Sequence, residues 1–287
     1  MALQVTANDS RRRLLSRLVE LACAGAVVIA LIPLALVLWF VLSRGLPALD
    51  WAFFTAMPKP VGEAGGGMAN AIMGTLIMLG IAGAIAVPLG IACAVYLAEY
   101  PGSRLSLSAR FAADILNGVP SIVVGIFAYV IVVLPFRRFS ALAGGFALGV
   151  MMIPIVVRTT EELLALVPPN LREGALALGA TRGRAIWSVI LPAAAPGIVT
   201  GVLVALARVA GETAPLLFTA LNNRYWTTKL TEPIASLTVQ IYTYALGPYE
   251  DWHRQAWAGS LVLIGAVLLF SIMARTVTHR LERMHRP

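Results

Sequence analysis

Six apolar runs, each long enough to cross a bilayer, dominate this chain: residues 18–43, 69–98, 111–135, 139–157, 193–221 and 256–275. A spanning helix needs about 20 mostly apolar residues. In lipid a helix satisfies its own backbone donors and acceptors, which an isolated strand cannot do. The runs therefore predict an all-α integral membrane protein with six transmembrane helices. Composition agrees, since only 13% of the 287 residues are charged and 59% are hydrophobic, against roughly 25% charged in a soluble domain. The net charge of +8 does not signal nucleic acid, because the basic residues flank the apolar runs and no basic stretch is interleaved with aromatics.

The same basic residues set the expected orientation. With the amino terminus in the cytoplasm, 14 Arg fall on inner segments and 7 Arg or Lys on outer ones, with Arg208 inside a span. Excess basic residues mark cytoplasmic loops, so both termini are expected inside. The predicted organisation is a basic cytoplasmic tail (1–17), a first transmembrane helix (18–43), an external linker (44–68), a five-helix core (69–275) and a second basic tail (276–287). Within the core, a loop at 158–192 faces the cytoplasm and a loop at 222–255 faces outward. The first run is longer than a signal-peptide apolar region and no small-residue cleavage site follows, so it reads as an uncleaved anchor. The outer loop carries Trp226, Tyr242, Tyr244, Tyr249, Trp252 and Trp257, suited to anchoring in membrane lipid at the interface or to docking an external protein.

Catalytic chemistry finds little purchase. The only histidines, His253, His279 and His285, lie outside the spans, and neither H-E-x-x-H nor G-x-S-x-G occurs. Lys59 and Lys229 precede Pro60 and Leu230, so neither belongs to a Gly-Lys-Ser/Thr phosphate loop. Cys23 and Cys93 have no CxxC or His neighbour and read as packing residues. No cofactor or metal is expected, and the chain is not expected to be an enzyme.

Two regions carry the functional signal. The stretch Glu173–Pro192, EGALALGATRGRAIWSVILP, sits between long apolar runs. Asn170 is positioned to cap a helix, with Glu173 three residues on to bond back. That helix would present Leu171, Ala175 and Leu178 on one side, and Gly179 would end it. Thr181 can cap a second short helix, and Pro192 can open the fifth span. Such a lever can seat in a groove on another protein or lie on anionic lipid.

The second region is ALARVAGETAPLLFTAL, residues 205–221. Arg208 and Glu212 are spaced for one helical face. A charge within a span costs about 2.5–3.5 kcal/mol on translocon scales and faces a cavity or a partner. Two compatible readings follow: Arg208 forms a structural pair with Glu212, or it presents a guanidinium fork to a tetrahedral oxyanion, with Glu212 holding it in place when no cargo is bound. Asn117, Ser121 and Thr213 are uncharged hydrogen-bonders able to line a path without trapping an anion. Pro88 and Pro120 should kink the second and third spans. Gly145 with Gly149, and Gly197 with Gly201, permit close helix packing, within this subunit or against another.

The Glu173–Pro192 stretch resembles the cytoplasmic EAA loop of ABC-importer permeases: Glu173, Gly174 and Ala175 fill the first triplet, Gly179 follows at the required spacing, and Leu191 and Pro192 close it. Gly174 departs from an Ala and Val189 from an Ile. RVAGETAP, IASLTVQIYTYALGP, AWAGSLVL and NGVPSIVVGIFAY (117–129) resemble the PstA-type permeases of phosphate ABC importers. The resemblance runs from about Met68 to Met273. It implies the six-helix ABC-importer permease (MetI-like) fold and phosphate as cargo. It also implies a PstC-type sister permease, a dimeric PstB-type ATPase at the cytoplasmic loop and an external phosphate-binding protein. A permease for sulfate, molybdate or phosphonate is the alternative that Arg chemistry alone would leave open.

Overall fold

The computed structural model describes the backbone of residues 7–61, 63 and 65–284, and side chains within 12–276 apart from 13, 62 and 64. Tail residues 1–6 and 285–287 lie outside the described residues. Every regular element described is helical: α1 (Ala7–Gly45), α2 (Trp51–Thr55), α3 (Ala69–Glu99), α4 (Arg104–Gly118), α5 (Ser121–Phe136), α6 (Ala141–Ala165), α7 (Pro169–Ala177), α8 (Arg182–Ala210), α9 (Ala214–Thr219), α10 (Leu237–Leu246) and α11 (Glu250–Met284). Five of these, α1, α3, α6, α8 and α11, are long and apolar enough to cross a membrane, and the bent pair α4–α5 makes a sixth if it counts as one span.

The parallel pair α3 and α6 forms the centre, residues 78–90 of α3 meeting residues 144–156 of α6 in the same order. Lipid tails are as apolar as leucine, so helices in a bilayer associate through van der Waals packing, and small residues bring backbones together. A Cβ added at Gly145 would stand 2.5 Å from Ile81, one at Gly144 2.6 Å from Met78, and one at Gly90 2.7 Å from Val156. Gly149 meets Ala82 and Ile85 at ordinary contact distance. On the next interface, Gly197 and Gly201 of α8 lie against Leu163 and Thr159 of α6. Both small-residue pairs therefore pack within this chain. Several hydroxyls in the spans bond back to their own helices, as Thr75 does to the Ala71 carbonyl (2.8 Å) and Ser260 to that of Ala256 (2.8 Å), so that these groups are satisfied without water. In contrast, the most apolar part of α1 buries none of its residues against the rest of the chain. The helix touches α11 near Gly45, where a Cβ would stand 2.9 Å from the Trp257 carbonyl.

Prolines act differently at different places. Pro88 is accommodated inside a continuous α3. Pro120 does more than kink the third run: α4 and α5 meet at 107°. The residue before a proline is pushed toward extended backbone, and Val119 adopts φ −69°, ψ 130°. The fifth run, expected to continue to 221, stops at Ala210. Pro215 supplies no N–H to the Gly211 carbonyl and its ring would crowd that oxygen in a continuous helix, so the chain opens at Gly211–Thr213 and restarts as α9.

Two further prolines are absorbed by π turns, at Tyr129–Val133 before Pro135 and at Ile186–Ile190 before Pro192. Because of the second, the short helix expected after Thr181 is continuous with the fifth span. The expected linker at 44–68 also holds structure, with α2 capped by Asp50, whose carboxylate accepts from Phe53 N at 2.8 Å. The expected tail residues 7–17 and 276–284 continue α1 and α11.

Candidate functional site

The two breaks face one another. Asn117 and Val119 from the α4–α5 break, and Arg208, Val209 and Glu212 from the α8–α9 break, line one crevice of about 30 Å³, with Met151 and Ile155 of α6 behind them. That volume is of the order of one water's share of liquid. The half-helices leaving the breaks pack on each other, and a Cβ at Gly125 of α5 would stand 2.7 Å from Pro215 Cα of α9.

Of the five residues expected along a path, the fold brings together Asn117, Arg208 and Glu212. Ser121 and Thr213, both half-buried, stand at the starts of α5 and α9 and do not line the crevice. The helical pairing expected of Arg208 and Glu212 is not made. Arg208 lies in the last turn of α8 and Glu212 lies beyond its end, so the one-turn spacing that aligns side chains on a helix does not apply. Among the described residues no ion pair joins them, and Arg208 is exposed.

At the far end of α6 the second region forms a compact reversal. α7 begins with Pro168 and Pro169 and has no side-chain cap, so the cap expected from Asn170 is not made. A proline in the first turn needs no partner for its missing N–H, and Asn170 falls inside the helix. Its other end matches the expectation: Gly179 has φ +83°, Gly179 N donates to the Leu176 carbonyl (2.9 Å) and Ala180 N to that of Ala175 (3.1 Å). This is the double closure of a Schellman motif. Thr181 caps the next helix, its hydroxyl accepting from Arg184 N at 3.3 Å.

Glu173, Gly174 and Gly179 are exposed while Ala175 is half-buried. Leu191 is half-buried and Pro192 exposed just after the π turn. Leu171, Ala175 and Leu178 do not share a covered face, because Leu178 has left the helix and is 91% exposed. Trp187 is 75% exposed and Leu166 77%, so uncovered apolar surface surrounds α7.

The sequence reading missed what holds this end together. Arg172 of α7 pairs with Glu99 at the end of α3 at 2.8 Å. Arg110 donates to Glu161, and Arg158 bridges Glu161 (3.3 Å) and Asp114, joining α4 to α6. The available signal was the concentration of both charge signs at the ends of adjacent apolar runs.

The chain matches the model of the binding-protein-dependent transport system inner membrane component family over residues 86–284. It is 46% identical to the phosphate transport system permease protein PstA of Yersinia pestis, over 93% of this chain and 90% of that protein. The Haemophilus influenzae PstA is 45% identical over 87% and 89%. PstA 1 of Mycobacterium tuberculosis is 38% identical over 96% and 92%. Among solved structures, the inward-facing MetNI methionine ABC transporter superposes with a TM-score of 0.61 at 19% identity, over 75% of this chain and 95% of that one. A bacterial ABC transporter that imports alginate gives 0.58 at 14%, over 96% and 99%; both likenesses concern the fold. Helix order, span number and sequence therefore agree: this chain belongs to the binding-protein-dependent transport system inner membrane component family, and within it to the PstA-type permeases.

Proposed function

We propose that this chain is a transmembrane subunit of an ATP-driven inorganic phosphate importer and forms half of its translocation path, with the termini and the α7 reversal in the cytoplasm. The observation that carries the reading is the meeting of two helix breaks at one crevice that holds Arg208, in a chain whose relatives are phosphate permeases. An unpaired guanidinium at a helix break supports an anionic cargo, since its planar fork matches a phosphate edge. Glu212, beside it but unpaired, supports release: its negative charge weakens the hold on a dianion, and conduction requires that the ion leave. Asn117 adds a neutral donor on the opposite wall. A PstC-type sister permease would complete the path, and an external phosphate-binding protein would deliver cargo at the 222–255 side.

Coupling falls to α7. Glu173, Gly174, Ala175 and Gly179, with Leu191 and Pro192 setting the following helix, present a short helix that seats on a dimeric PstB-type ATPase, the exposed Leu178 and Trp187 supplying apolar contact.

The test is phosphate uptake by the assembled importer. Arg208→Gln is expected to abolish uptake with assembly intact, and Arg208→Lys to impair it because the fork is lost. Wild-type uptake by Arg208→Gln would remove the residue from the mechanism. Gly179→Val, strained at positive φ, is expected to insert normally and lose ATPase association; retained association would refute the coupling role.

A further inference from the structure

The stretch IASLTVQIY, residues 234–242, is buried almost throughout, and the translocation reading gives it no task. Ser236, Thr238 and Gln240 are polar yet 0%, 5% and 1% exposed. Each makes a contact in a different direction. The Ser236 hydroxyl caps α10, accepting from Val239 N at 3.3 Å. Gln240 Oε1 accepts from Asn222 Nδ2 at 2.9 Å, at the start of the 222–236 segment. Leu237 N donates to Thr75 Oγ1 of α3 at 2.8 Å. Thr238 Oγ1 donates to the Glu212 carbonyl at 2.9 Å, inside the break beside Arg208.

That carbonyl needs a donor from elsewhere. In a continuous helix it would accept from the N–H of residue 216, but Leu216 N donates to Thr213 O at 3.1 Å. The neighbouring Gly211 carbonyl has no helical donor because residue 215 is proline. A partly buried carbonyl left unpaired still bears part of the desolvation cost, so a donor from outside the turn steadies the opened backbone. Thr238 supplies it.

We propose that Thr238 is a positioning residue for transport: its hydroxyl pins the opened Gly211–Thr213 turn, and so the place of Arg208 and Glu212 at the crevice, while Gln240 on the same short helix ties that pin to the 222–236 segment. The proposal rests on the reading of the crevice as the phosphate path.

The experiment uses the complete importer with three replacements. Thr238→Val keeps the shape and removes the donor, Thr238→Ser keeps the donor, and Thr238→Cys keeps the volume with a weak donor. Maximal phosphate uptake at saturating binding protein is expected to fall about tenfold in Thr238→Val, the scale of one unpaired buried group. Thr238→Ser should stay within about twofold of wild type, and Thr238→Cys should fall between. A spin label at Gly211→Cys, in an importer otherwise free of cysteine, should gain mobility in Thr238→Val and not in Thr238→Ser. Should Thr238→Val fail to accumulate, the Ser and Cys variants rank the donor alone, and equal uptake by those two overturns the proposal. Equal loss in Val and Ser would assign the effect to the methyl group and overturn it. Wild-type label mobility in Thr238→Val overturns it directly. Raised mobility with wild-type uptake overturns it through the path reading on which it rests.

Discussion

The two ends of the bundle are fastened by different chemistry. At the α7 end, charged side chains do the joining: Arg172 to Glu99, Arg110 to Glu161, and Arg158 to both Glu161 and Asp114. At the α10 end, uncharged side chains meet backbone carbonyls or each other. Asn70 donates to the Asn223 carbonyl (2.7 Å), Gln255 to that of Gly65 (2.6 Å), and Asn222 to Gln240. The arginines of these pairs reach water while Glu161 and Glu99 are mostly covered, so parting them costs more than at an open surface and less than in a sealed core. A buried amide or hydroxyl that loses its partner bears the full desolvation penalty. The α7 end is thus built to be loosened and remade, and the α10 end to keep one geometry. On the proposed reading, with an ATPase at the first end and cargo delivered at the second, that contrast places compliance where force enters.

The sharpest way to break the comparison is to overfill the α10 end. A Cβ at Gly74 would stand 2.0 Å from the Ala235 carbonyl, and backbone cannot yield as a flexible side chain does. Gly74→Val is expected to cost at least about 3 kcal/mol and to prevent accumulation of folded subunit, read as membrane abundance and monodispersity. Near-normal abundance would show that the α10 end is softer than described. Next in size, Gln240→Leu should lower stability by about 1–3 kcal/mol, measured as thermal unfolding of the purified importer, because Asn222 loses its acceptor within a packed region.

Arg172→Ala at the α7 end should cost about 1 kcal/mol or less. Its signature is salt dependence: raising ionic strength should weaken the parent protein and leave the variant nearly unchanged. A cost equal to that of Gln240→Leu would erase the distinction between the ends. The smallest effect is expected from Lys229→Met. Lys229 and Thr227 both hydrogen-bond the Glu232 carboxylate, and the Lys229 ammonium first among them holds it below the usual glutamate range. A depressed carboxylate pKa contributes stability above the unfolded value and loses it as pH falls through the folded value. The parent should therefore lose a small increment in mild acid that the variant lacks. Identical acid titrations of the two would show that the pair contributes nothing.

Much of this architecture is legible in residues. The glycines of α6 and α8 announce close packing, and Gly179 announces its turn, because a left-handed residue has few substitutes. What escaped notice escaped for stated reasons. Hydropathy carries no direction, so runs 111–135 and 193–221 read straight through Val119–Pro120 and Gly211–Pro215, where the chain bends or opens. Helical spacing suggested that Arg208 would meet Glu212, yet spacing presumes a helix, and the helix ends between them. Asn170 suits a cap, but two prolines ahead of it start the helix without one. Thr238 was invisible because its acceptor is a backbone carbonyl 26 positions away, and no side-chain pattern encodes such a bond.

The π turn at Ile186–Ile190 changes how α8 must be numbered by anyone redesigning it. Leu191 N bonds to the Ile186 carbonyl, one residue farther back than in an α-helix, so one residue is taken up without adding to the periodic count. Each residue of an α-helix advances the wheel by about 100°. A helical wheel drawn from Arg182 therefore misassigns every face beyond Leu191 by about that angle. Deleting Ser188 should regularise the turn and swing Trp187 and the whole α7 reversal around the axis of α8, converting a one-residue deletion into a rotation of that whole end.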